Sequence, residues 1–172
     1  MAEQQLFFVN MKAAGITGES LKTGHAGWLE AQSWHFQMNQ TADLALGQAG
    51  GTGTAAFGTF GFTRSKDKSS PKLLEYCSKG SHIPTIVFEA ERQGTQQANT
   101  ASTNPSSVFF RITMNDVVVS GRDISHSDKD RGTESLSFAF GEVEVGYAQV
   151  MTDGSIKSMV VKKYNAKMNR AA

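Results

Sequence analysis

The chain is poor in cysteine. Cys77 is the only one in 172 residues, so no internal disulfide can form and packing alone must hold the fold, as in a reducing cytosol. There is no excess of charge of one sign either: 17 Lys and Arg stand against 16 Asp and Glu, a net of +1. That balance argues against a nucleic-acid footprint, which needs basic residues gathered on one face. Long apolar runs are missing. The run Leu6 to Val9 is too short for a signal-peptide core, and Glu3 stands where basic residues would. Nothing approaches the ~20 apolar residues of a membrane span, so no membrane insertion is expected. Export, if it occurs, needs a route without a signal peptide.

Motifs of common chemistries are also lacking. The glycine-rich stretch 41–58, TADLALGQAGGTGTAAFG, contains no lysine. It therefore cannot be a phosphate loop, whose Gly-Lys-Ser/Thr ending brings an ammonium and a hydroxyl to the phosphates. Gly51-Thr52-Gly53 is not completed into a dinucleotide fingerprint, and no cofactor is implied. His25, His35, His82 and His126 have no metal-ligand spacing among them, so no metal site is expected.

What is present is alternation. A length of 172 residues fits one domain spanning 1–172, large enough to bury roughly 70% of its extended surface. Strands are expected at Leu6–Met11, Thr59–Arg64, Ile83–Arg92, Val108–Ser120, Glu134–Val150 and Ser158–Tyr164, from their period-2 apolar pattern. The stretch 18–40, GESLKTGHAGWLEAQSWHFQMNQ, carries both tryptophans. Leu29 and Ala31 lie on one parity, Trp34, Phe36 and Met38 on the other, which requires a bend or bulge. Similar phase slips fall at Asn115-Asp116 and at Gly141, the latter read as the point where a strand passes between sheets. Thr152-Asp153-Gly154-Ser155 is a hairpin turn. One short helix is expected after Lys66, with Ser70 as N-cap, Pro71 in the first turn, Leu73, Leu74 and Cys77 as the apolar stripe and Gly80 as the stop. Long loops are expected at 41–58, 93–107 and 121–132, and a loose tail at 165–172. The fold class is mainly β: a tight antiparallel β-barrel or two-sheet fold of about eight strands with one short flanking α-helix.

Candidates for catalysis are weak. Glu89 and Glu91 share one face of a strand and could form an acid/base pair, but that alternation places them on the solvated side. Asp123, Ser125, His126 and Asp128 lie in one loop, whereas a triad needs its members on separate rigid elements. A hydrolase is the remote alternative, and no enzyme is expected.

An ordered set of blocks does point to a family. Gly18-Glu19-Ser20, Gly24-His25, Trp28-Leu29-Glu30 and Ser33-Trp34 come first. Lys66-Asp67-Lys68-Ser69-Ser70-Pro71-Lys72-Leu73-Leu74 follows. Then come Val117-Val118-Val119-Ser120, Glu134-Ser135-Leu136-Ser137-Phe138, Val143-Glu144-Val145-Gly146-Tyr147 and Asp153-Gly154-Ser155. Together they resemble the hemolysin-coregulated protein (Hcp) family of bacterial type VI secretion tube proteins. The resemblance implies a structural subunit that closes as a homohexamer into rings. The rings stack into a tube inside a contractile sheath, with a spike protein at the tip and small effector proteins in the pore. It implies a chain made in the bacterial cytoplasm and secreted through the apparatus. It also gives the 41–58 loop a role, with Asp43, Leu44, Gln48, Gly50, Gly51 and Thr52 as the expected ring-stacking contacts. A phage-type tail tube protein and a pore-binding effector carrier or chaperone are the nearest alternatives.

Overall fold

A computed structural model describes residues 4–40, 55–92, 107–128, 131–152, 155–166 and 170–171. Among these, nine strands form one antiparallel sheet: β1 (Gln5–Asn10), β2 (Leu29–Ala31), β3 (Ser33–Gln40), β4 (Ala55–Ser65), β5 (His82–Arg92), β6 (Val108–Ser125), β7 (Thr133–Tyr147), β8 (Val160–Asn165) and β9 (Arg170–Ala171). An α-helix, α1 (Ser70–Lys79), joins β4 to β5. The strand order is β2-β1-β5-β6-β7-β4-β3, with β8 beside β7 and β9 beside β8.

β2 and β3 stand at opposite ends of that order, yet they are separated in the chain by Gln32 alone. The chain bends there. Leu29 pairs with Val9 of β1, while Ser33 pairs with Thr63 of β4, and the Gln32 amide donates to the Thr63 carbonyl at 2.7 Å. The two parities of the stretch thus serve two partners, and the curled sheet meets itself at this seam. Leu29 is buried inside, and Trp34 and Phe36 also pack on the core.

The interior is aromatic. Phe62 stacks on Phe138 (5.7 Å), Phe60 lies against both and against Phe88, and Trp34 leans on Phe88 at 4.8 Å. Ile86, Ile112, Met114, Val117 and Leu136 fill the remainder. Burying each such side chain contributes about 1.5–3 kcal/mol.

The phase slips have structural causes. Asp116 takes a left-handed φ of 54°, so Ile112 and Met114 before it and Val117 and Val119 after it all point inward. Gly141 sits where β7 changes neighbours: β4 pairs it up to Phe138, and β8 pairs it from Glu142. β7 remains one strand of one sheet, so the expected passage between sheets is a change of partner instead.

Several expectations are corrected. Residues 55–58 of the expected loop belong to β4, where Ala55 and Ala56 pair with Gln40 and Asn39. Residues 121–125 of the charged loop extend β6, because Gly121 to Ser125 find ladder partners in β7. The tail is partly ordered by pairing of β9 with β8. The helix begins at Ser70, with Ser69 in the cap position. Leu73 is buried, but Leu74 is 54% exposed because the helix meets the barrel along a narrow stripe. Gly80 ends the helix in a left-handed conformation, as expected.

Truncating Phe138 to Ala should remove about 3–5 kcal/mol of unfolding free energy in a urea titration. Leu74→Ala on the exposed side of α1 should stay within about 0.5 kcal/mol.

Candidate functional site: two ionic clusters and a hydroxyl-rich wall

Two clusters of buried charge account for most of the polar interior among the described residues. The first starts from a cross-strand pair. Arg64 on β4 faces Glu134 on β7, and both share the inward parity of the phenylalanines beside them. Arg64 Nη2 lies 2.6 Å from Glu134 Oε2, and its Nη1 lies 2.6 Å from Asp67 Oδ1. Arg122 Nε reaches the other oxygen of Glu134 at 2.5 Å. The Ser70 hydroxyl donates to Glu134 at 2.9 Å and accepts from Arg64 at 3.1 Å. Ser70 therefore does not cap the helix with its side chain. It ties the first turn of α1 to the barrel. Burial pushes the Asp67 carboxyl pKa up, but hydrogen bonds from Ser69 and Arg64 and the charge of Arg64 outweigh it, and the net shift is below the ordinary value.

The second cluster lies on the outside of β1 and β5. Phe8, Glu89, Glu91 and Arg111 point outward there, and residues 18–28 fold over them. His25 is 3% exposed and stacks on Phe8 at 4.2 Å. Its Nε2 meets Glu89 Oε2 at 2.6 Å and its Nδ1 meets Glu91 Oε1 at 3.3 Å. Lys22 pairs with Glu91 at 2.7 Å, and Arg111 with Glu89 at 2.6 Å. The expectation that Glu89 and Glu91 are solvated is overturned. Their outward phase is right, but a covering segment buries them. All the acid oxygens face cations or the imidazole, an arrangement suited to holding a loop. Gly18 is required at the start of that loop, since a Cβ there would lie 2.3 Å from the Trp28 carbonyl oxygen.

The other imagined catalytic groups do not converge. Asp123 and Ser125 sit at the end of β6, and His126 Nδ1 meets Lys66 Nζ at 3.4 Å. Among the described residues no three His, Cys, Asp or Glu side chains are placed to hold a metal ion. No described helix is long and apolar enough to cross a membrane. Asp43, Leu44, Gln48, Gly50, Gly51 and Thr52 lie outside the described residues.

On another side of the barrel, β3, β4, β7 and the end of β6 present an uncovered wall. Its rows follow the ladder: Ser33, Thr63, Ser135 and Asp123 in one, His35, Gly61, Ser137 and Gly121 in the next. Hydroxyls dominate, His35 lies flat over Gly61, and Asp123 is the single carboxylate in these two rows.

Comparisons with known proteins agree in one direction. A family model described as "Type VI secretion system effector, Hcp" matches residues 10–147. Protein hcp1 of Pseudomonas aeruginosa is 29% identical over 146 residues, covering 84% of this chain and 85% of its own. A solved structure of a type six secretion system protein aligns with a TM-score of 0.85 at 21% identity, covering 98% of this chain and all of that one (100%). Hcp1 from Salmonella typhimurium aligns with a TM-score of 0.70 at 22% identity, over 98% and 99% of the two chains. These structures share the fold. The sequence blocks that carry the resemblance now have places: Gly18 to Trp28 forms the outer cover, and Asp67 to Ser70 with Glu134 forms the helix anchor.

Glu134→Gln should destabilise the protein by about 3–5 kcal/mol, because the buried Arg64 and the part-buried Arg122 lose their shared counter-charge; denaturant titration measures it. Asp67 has its pKa lowered on folding, so its contribution is present above the unfolded carboxylate value of about 3.9 and is lost as pH falls through the folded one. The stability gap between wild type and Asp67→Asn should be open at pH 7 and close on acidification.

Proposed function

This chain belongs to the Hcp family of type VI secretion system effectors, and from that premise we propose that it is the structural subunit of the secreted tube. Copies close as a homohexameric ring, and rings stack into a tube. Such a ring is heterologous, one side of the barrel against a different side of the next, since isologous contacts close only dimers. The observation that carries the reading is the hydroxyl-rich wall. Of the described sides of the barrel, it is the one suited to line a pore, because a hydroxyl surface is wetted yet offers passing protein few ion pairs to stick to. The side occupied by the 18–28 cover faces outward, towards an enclosing sheath. Small effector proteins travel in the pore and a spike protein sits at the tip. The chain is made in the bacterial cytoplasm and leaves through the apparatus. Its role is assembly, with no catalytic step.

Asp43, Leu44, Gln48, Gly50, Gly51 and Thr52 supply the contact between stacked rings. That stretch contains a single charge, so little desolvation opposes its burial on a neighbour.

Light scattering on the purified protein should return a hexamer, and negative-stain images should show rings. A clean monomer at micromolar concentration in both measurements would count decisively against the ring. Deleting Gly47 to Gly53 should leave hexamers intact while reducing tube length and secretion. Loss of the folded barrel on deletion would instead make the loop structural.

A further inference from the structure

The cover over the second ionic cluster has a construction unlike the rest of the fold. Its backbone hydrogen bonds close on itself. Gly18 N–H donates to Gly27, Gly27 to Ser20, Ser20 to Trp28, His25 to Lys22 and Trp28 to His25. Its two ends are therefore pinned together, as in a compact Ω-loop. What fastens it to the barrel is side chains: Lys22 to Glu91, His25 to Glu89 and Glu91, the stack of His25 on Phe8, Lys12 Nζ to the Ala26 carbonyl, and Glu19 to the Lys68 amide. The loop is also turned inside out. Lys22 and His25 face the barrel, while Leu21 stands 93% exposed at the tip. It runs directly into β2, which holds β1 through only three residue pairs.

We propose that residues 18–28 are an ion-latched strap that lifts from the barrel wall and unravels as one cooperative unit, while the barrel beneath stays folded. A segment whose backbone bonds are internal can come apart without breaking the sheet ladder. Its release exposes Phe8 and the Glu89–Glu91 pair, a notch with one aromatic face and two carboxylates. Local opening of such self-contained segments below the global unfolding free energy is a general property of folded proteins. Here the latch sets the opening equilibrium, so weakening a single latch pair shifts every strap amide by the same factor.

Amide hydrogen exchange on the assembled full-length protein tests this. In the wild type, the amides of Gly18, Ser20, His25, Gly27 and Trp28 should share one protection factor, lower than those of β5, β6 and β7. Lys22→Met keeps the stem over Phe8 and removes the charge. His25→Gln keeps a polar side chain in place of the imidazole. Each should raise strap exchange about tenfold or more, uniformly, with β5 to β7 unchanged. Strap amides that exchange only with the core, or that respond one by one to the substitutions, would overturn the proposal. So would a Lys22→Met protein in which strap and core accelerate together. Loss of the ring with strap behaviour preserved would bear on the assembly reading alone.

Discussion

The architecture depends on one stretch of backbone serving two edges. A curled antiparallel sheet leaves unpaired N–H and C=O groups at both ends, and such edges invite aggregation. Here both ends of the strand order are supplied by residues 29–40, bent at Gln32. The amide of that residue bonds across the seam to Thr63. Closure follows from chain continuity, since two edges one residue apart cannot drift far from one another. The aromatic interior then has a container of fixed size, and the phase slips at Asp116 and Gly141 let single long strands follow its curvature.

The two ionic clusters solve different problems with the same chemistry. Arg64, Glu134, Arg122 and Asp67 dock a helix that is too short to hold itself, and they do so inside the barrel's inward phase. Glu89, Glu91, His25, Lys22 and Arg111 fasten a loop to the outside. Burying ions is expensive, and such clusters are rarely more stabilising than an apolar replacement. What they add is geometry: a forked guanidinium accepts few orientations of its carboxylate partners, whereas a greasy contact accepts many.

Much of this is legible in the sequence. Alternation locates the strands, the parity changes locate the bends, and Gly80 locates the helix end. The ordered blocks from Gly18 to Asp153 lead to the family. Other features are hidden for physical reasons. Glu89 and Glu91 are outward by phase, and nothing local says that His25, 64 positions before Glu89, lies over them, since loop covering is a long-range event. Arg64 and Glu134 do carry a signal: each continues the parity of Phe60 and Phe62 or of Leu136 and Phe138, which marks a charge directed inward. Two opposite charges on the inward phase of different strands announce a buried pair. Ser70 reads as a cap because it precedes Pro71, yet its hydroxyl donates to the Glu134 carboxylate and accepts from Arg64 instead of from a helix amide.

The charge pairing also bears on crowding of like copies. Seventeen cationic and 16 anionic side chains leave +1 per chain, and many of them neutralise one another within the fold. In any gathering of identical molecules, net charge adds with the number of copies, while the energy of their mutual repulsion grows roughly with its square. A chain carrying many uncompensated charges would need counter-ions to be packed side by side. One that consumes its charges internally, leaving +1 per copy, can be packed far more densely at physiological salt for the same Coulomb penalty.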